Sequence, residues 1–125
     1  GSEMCIRDST QSHVSAWRTF LSTDSDECMV VEDDILLCRN FDTIWNNLDI
    51  PDDSFAIWKI ETINATCTIQ RRCERQYNGF SFHQLYSGHA GCAAYIINRK
   101  TAKFLLSVAN DFRAIIDHEL FGRLC

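Results

Sequence analysis

Three consecutive acids close an apolar run: Cys28-Met29-Val30-Val31-Glu32-Asp33-Asp34-Ile35. Four apolar residues suit a buried strand. Three adjacent carboxylates cannot share that burial unpaired, because an unpaired charge is costly to desolvate. The strand must deliver them to water, to cationic partners or to a metal. Ligands of open α/β sheets bind just outside the carboxyl ends of strands. Carboxylates placed there suit a hard divalent ion that also grips a diphosphate. The plainer reading is an acidic turn after a strand.

The other reactive residue type is cysteine, present seven times. The number is odd, the spacing irregular, and Cys-x-x-Cys does not occur. Cys28, Cys38 and Cys92 lie in apolar runs, where a free thiol packs as a small hydrophobe. Cys67 and Cys73, in a polar segment, form the one local pair suited to a disulfide or a thiol-bound metal. The pattern favours a reducing compartment. Asn64-Ala65-Thr66 fits a glycosylation acceptor, which matters only in a secreted protein.

The elements that must position these groups are legible from periodicity. A chain of 125 residues with 46% apolar content can form one domain with a real core. Val14, Trp17, Phe20 and Leu21 recur at helical spacing and predict a helix over Ser12 to Leu21. Strands are expected at Cys28 to Val31, Phe55 to Ile60 and Cys92 to Ile97. Phe41, Ile44, Trp45 and Leu48 mark a short helix, with Asn40 or Asp42 as cap. Residues 61–85 are polar, carry Arg71, Arg72 and Arg75, and read as a long loop or a small hairpin. Ser87-Gly88-His89-Ala90-Gly91 reads as a tight turn. Asn98 caps an expected helix over Arg99 to Val108, with Ala102, Leu105, Leu106 and Val108 facing inward. Asp117 is placed to cap a last helix. Alternating helices and strands indicate an α/β fold. Trp17, Trp45 and Trp58 sit at core spacing.

Several function classes are disfavoured. A net charge of -5 argues against non-specific nucleic-acid or anionic-membrane binding. No apolar stretch has membrane-spanning length, so no transmembrane segment is expected. A secretory signal pattern is also lacking.

The order of motifs is informative where each motif alone is weak. Ser12-His13-x-x-Ala16-Trp17 is followed by Val30-Val31-Glu32-Asp33-Asp34-Ile35 and Trp58-Lys59-Ile60-Glu61. Gly91-x-x-Ala94-Tyr95-Ile96-Ile97-x-Arg99-Lys100 and Ile116-Asp117-His118-Glu119-Leu120 complete the series. This series, over roughly residues 11 to 121, resembles glycosyltransferase family 25, which includes bacterial lipooligosaccharide β-galactosyltransferases and animal collagen galactosyltransferases. The resemblance implies a GT-A-like, Rossmann-like nucleotide-diphospho-sugar transferase domain. It implies metal-dependent, inverting transfer of a hexose, with galactose foremost, from a UDP-sugar to a glycan, lipooligosaccharide or other hydroxyl acceptor. By the same resemblance Asp34 is the direct ligand of Mn²⁺ or Mg²⁺, with Glu32 beside it, and Glu32 or Asp33 contacts the donor ribose or a metal-bound water. Such an ion neutralises charge developing on the leaving diphosphate.

Inversion also requires a general base on the acceptor hydroxyl. Asp117 is the first candidate and Glu119 the second; the competing role of Asp117 is a helix cap. His13 is a candidate donor contact, against a surface or capping role. His89 suits a turn, His118 suits packing, and the arginine cluster suits a solvated face better than a phosphate clamp.

Family catalytic domains are longer than this chain. Residues 11–125 are therefore expected to be a partial domain truncated at its N-terminus, without the uridine-binding portion; Gly1 to Ser9 show no clear periodicity, so residues 1–10 are expected to be a non-native leader. The competing function is a truncated, non-catalytic α/β module that keeps the fold without donor binding. A cysteine-based metal or redox protein is a third option. A bacterial member would work in the cytoplasm, peripheral to the inner membrane; a collagen-type member would sit in the endoplasmic reticulum. The cysteine pattern favours the cytoplasm.

Overall fold

The computed structural model describes residues 2–33, 35–37, 39, 41–47, 55–60, 69–77, 80–85 and 93–111. Helix α1 (Ser2–Leu21) leads into strand β1 (Glu27–Val31), then helix α2 (Phe41–Asn47) and strand β2 (Ile57–Lys59). Strands β3 (Ile69–Tyr77) and β4 (Phe80–Leu85) follow, then β5 (Ala94–Asn98), helix α3 (Arg99–Val108) and a 3₁₀ turn at Ala109–Asp111. The first helix begins well before Ser12. No glycine or proline interrupts residues 2–21, and an established helix propagates without needing an apolar face in every turn.

Strand β5 is the centre of a three-stranded sheet of order β1-β5-β2. It runs antiparallel to both neighbours, so β1 and β2 point the same way. The arrangement is α/β, but this small sheet is not the all-parallel sheet of a doubly wound fold. Residues 61–85, left open between loop and hairpin, contain the antiparallel β3–β4 pair, with register shifts around Cys73. Tyr77 pairs with Phe80, and the intervening sequence is Asn78-Gly79, a strong hairpin signal that composition alone obscures.

Register explains which residues are core. The row Cys28–Ile97–Ile57 faces α1 and α3, where Trp17, Phe20, Ala102 and Leu105 complete the main cluster. The next row, Met29–Ile96–Trp58, faces the opposite side, with Trp45 of α2 packed against Ile96. Helices therefore cover both faces of β5, and all five of its residues are buried. That accounts for the unbroken Ala94-Tyr95-Ile96-Ile97 run, since a strand covered on both sides loses polar alternation. The three tryptophans take the expected core positions, Trp17 fully and Trp45 and Trp58 in part.

Helix α3 matches its expected bounds. The Asn98 side chain accepts from the Thr101 amide at 2.9 Å, which satisfies one orphan donor of the first turn. Thr101 Oγ1 in turn exchanges hydrogen bonds of 3.1 Å with the amide and carbonyl of Ala56, hooking α3 to the start of β2. Arg99 serves the end of α1. It donates to the carbonyls of Leu21 (2.9 Å), Thr23 (2.7 Å) and Ser25 (3.1 Å) while its guanidinium lies over Phe20. A cation at these carbonyls satisfies acceptors that the helix leaves open.

A buried polar chain fastens α1 to the same strand. Trp17 Nε1 donates to Tyr95 Oη at 3.0 Å, and Tyr95 Oη lies 2.5 Å from His13 Nδ1. The His13 and Tyr95 rings stack, with centroids 5.6 Å apart. An indole nitrogen only donates, so the phenol oxygen accepts from it; a neutral His13 then accepts the phenol proton at Nδ1, an assignment made from the bonding pattern. Burial lowers the His13 pKa from its ordinary value near 6.5, which keeps the imidazole neutral.

These contacts generate two expectations for stability. Asn98→Ala should cost about 1 kcal/mol, read as a lower urea midpoint at unchanged slope. Tyr95→Phe should cost about 2 kcal/mol, because the buried Trp17 indole N–H loses its acceptor. The pH dependence follows from linkage. Above about pH 6.5 His13 is neutral in both states and its contribution is intact. As pH falls below that value the unfolded histidine gains a proton that the folded one resists, so stability declines. Urea titrations between pH 7 and 5.5 should give this slope in the wild type and a flatter one in His13→Gln; equal slopes would refute the assignment.

Candidate functional site

The carboxyl ends of β1 and β2 reach the same edge of the sheet, on either side of the start of β5. The Glu32 amide donates to the Ala93 carbonyl at 2.8 Å, and the Ile60 amide donates to the Ala94 carbonyl at 3.1 Å. The backbone of Glu32 is thus still held to the sheet while its side chain is exposed. Asp33 follows in a turn and is exposed too. The strand is half-buried rather than buried as its apolar run predicts, because it lies at the edge of the sheet; Val31 is already exposed, and the acids continue into solvent, as the desolvation cost requires.

His13 lies one pleat period behind this edge. It stacks on Tyr95, which pairs with Val30, two residues before Glu32. It is buried in contact with Tyr95 rather than standing as a surface or capping residue. Tyr95 itself drew no role from the sequence. Its signal was a phenol in an otherwise apolar strand, since a buried tyrosine hydroxyl needs a partner.

The structure brings Glu32, Asp33 and His13 to one end of the sheet. Asp34, Asp117 and Glu119 lie outside the described residues, as do His89 and His118. Arg71, Arg72 and Arg75 fall on β3. Among the described residues no group of three His, Cys, Asp or Glu side chains could hold a metal. Glu32 and Asp33 are nevertheless the right kind of donor for Mn²⁺ or Mg²⁺: exposed carboxylate oxygens, with the backbone of Glu32 held by the sheet. They supply part of a ligand set.

Thiol chemistry finds less support. Cys28 is free, packs against the main core cluster, and has its pKa raised by burial, all of which suit an inert hydrophobe. Cys67, and with it the Cys67–Cys73 pair, lies outside the described residues. Among the described residues no helix is long and apolar enough to cross a membrane.

Comparison with known proteins identifies the family. Residues 9–120 match the model of glycosyltransferase family 25 (LPS biosynthesis protein). The chain is 31% identical over 100 residues to the lacto-N-neotetraose biosynthesis glycosyltransferase LgtE of Neisseria meningitidis serogroup B. It is 33% identical over 101 residues to the lacto-N-neotetraose biosynthesis glycosyltransferase LgtB of Neisseria gonorrhoeae. Each match covers 76% of this chain and 36% of the relative, so the chain spans about a third of the length of these curated relatives. The matched residues include β1 with its acidic end, the β5–α3 unit and His13, and on that match the chain belongs to glycosyltransferase family 25.

Proposed function

We propose that this chain carries the donor-side core of a metal-dependent, inverting glycosyltransferase, which moves a hexose, galactose foremost, from a UDP-sugar to a hydroxyl of a lipooligosaccharide-type glycan. The observation that carries the reading is the delivery of Glu32 and Asp33, exposed, to the carboxyl edge of a half-buried strand in a chain of this family. The names of LgtE and LgtB support a glycan of the lacto-N-neotetraose type as the product to which the reaction contributes.

In this reading Asp34 and Glu32 hold Mn²⁺ or Mg²⁺, and Asp33 contacts the ribose or a metal-bound water. When bound, the ion neutralises charge on the departing diphosphate. His13 belongs to the donor side, in its neutral form and oriented by Tyr95. Asp117 removes the proton of the acceptor hydroxyl as that oxygen attacks the anomeric carbon from the face opposite the diphosphate. Glu119 is the second candidate for that step. Of the described residues, Glu32 and His13 are set by the sheet and by α1 respectively, so the donor site rests on packed elements.

A second reading has its own support. The chain spans about a third of the length of its relatives, and a module of that size could keep the fold without binding donor. Calorimetric titration of UDP-galactose into the chain, with and without Mn²⁺, separates the two. The catalytic reading expects Mn²⁺-dependent binding that weakens by more than about a hundredfold in Asp34→Asn, since outer-shell partners of a metal alone are worth 10- to 100-fold. Unchanged binding in Asp34→Asn refutes the metal assignment. No binding in a folded sample supports the non-catalytic module. With an acceptor present, Asp117→Asn should lower turnover by about a hundredfold or more at unchanged donor affinity.

A further inference from the structure

We infer that Lys59, at the end of β2, contacts the diphosphate of the donor from across β5, on the same face and edge of the sheet as the acidic end of β1. The inference rests on the donor-site reading above and adds to it a residue from a motif, Trp58-Lys59-Ile60-Glu61, that this reading leaves without a role.

Register places the lysine. Rows alternate strictly between the two faces of the sheet. Cys28–Ile97–Ile57 lies on the α1/α3 face, and Met29–Ile96–Trp58 lies on the other. Val30–Tyr95–Lys59 returns to the α1/α3 face, where Val30 and Tyr95 join the main cluster. One step further, Val31 is opposite Ala94, and Ile60 bonds to Ala94 and packs on the far face with Ile96. The pleat then carries Glu32, bonded to Ala93, back to the face that holds Lys59. Glu32 and Lys59 thus share a face and an edge, separated by two strand spacings, about 10 Å across the sheet, and by one pleat period, about 7 Å along it. The residue between them at the edge is Ala93, whose methyl group fills little of that gap.

The row-mates of Lys59, Val30 and Tyr95, and its strand-mate Ile57 pack into the core, and Lys59 itself is half-buried. A flexible four-carbon stem can pack its base against such neighbours while its ammonium extends toward the edge. A diphosphate between metal-binding carboxylates and a lysine is neutralised from both sides, and lysine serves phosphate as a point charge.

Titrations with UDP in the presence of Mn²⁺, and with Mn²⁺ alone, test this on the wild-type chain, Lys59→Gln and Lys59→Arg. Lys59→Gln should weaken UDP about tenfold to a hundredfold while Mn²⁺ affinity stays within about twofold. Lys59→Arg, which keeps the charge, should retain most of the UDP affinity and guards against loss of fold in the neutral variant. Wild-type UDP binding that is unchanged in Lys59→Gln overturns the inference and leaves the donor-site reading standing. Equal weakening of UDP and Mn²⁺, or loss of fold in both variants, assigns Lys59 a structural role and also overturns it. Failure of the folded wild type to bind UDP overturns the donor-site reading, and the inference with it.

Discussion

Strand β5 is covered on both faces and paired on both edges, and most of the described architecture follows from that constraint. Its side chains can meet only protein, so the strand is apolar except where a polar group has a fixed partner. The two exceptions organise their surroundings. Tyr95 places a hydroxyl under α1 and gathers the Trp17 indole and the His13 imidazole around it. Asn98 places an amide at the strand end and starts α3 on it. Each of these two polar groups therefore ties two elements together, because a buried donor or acceptor without a partner is more costly than the bond is favourable.

The same strand levels the edge of the sheet where the acids stand. The carbonyls of Ala93, just before it, and Ala94, its first residue, hold the backbones of Glu32 and Ile60, so the ends of two like-directed strands are brought to one boundary. An antiparallel centre lets two parallel strand ends flank a single strand start. Acidic side chains can then be exposed at the end of β1, with a lysine at the end of β2, while sheet hydrogen bonds hold the backbones of Glu32 and Ile60. An exposed carboxylate carries little burial penalty, and a backbone held by the sheet reduces the ordering needed when a ligand arrives.

Local signals were enough to read α3 and its Asn98 cap, the β1 strand with its acidic end, and the core tryptophans, because each depends on residues within a few positions of one another. The start of α1 was less legible. Residues 2–11 have no apolar stripe, and helix continuation depends there on the absence of a breaker. The β3–β4 hairpin was obscured by its polar composition, although Asn78-Gly79 marks its centre. His13 was the residue least decided by sequence. A single histidine at helical spacing carries no sign of whether it faces water, a cap or a buried phenol 82 positions away.

Sequence by itself determined the identities and order of the chemical groups: an apolar run that must be buried, three acids that must leave that burial, and a motif series specific enough to mark the family. Tertiary structure decided which groups meet. The direction of β5 between β1 and β2 aligned Val30, Tyr95 and Lys59 in one row, and the seating of α1 on that row put His13 against Tyr95. Pairing register between strands far apart in the chain is set by the packing of whole faces, and a shift of one residue would turn every side chain to the other side. No local pattern around Lys59 or His13 contains that information.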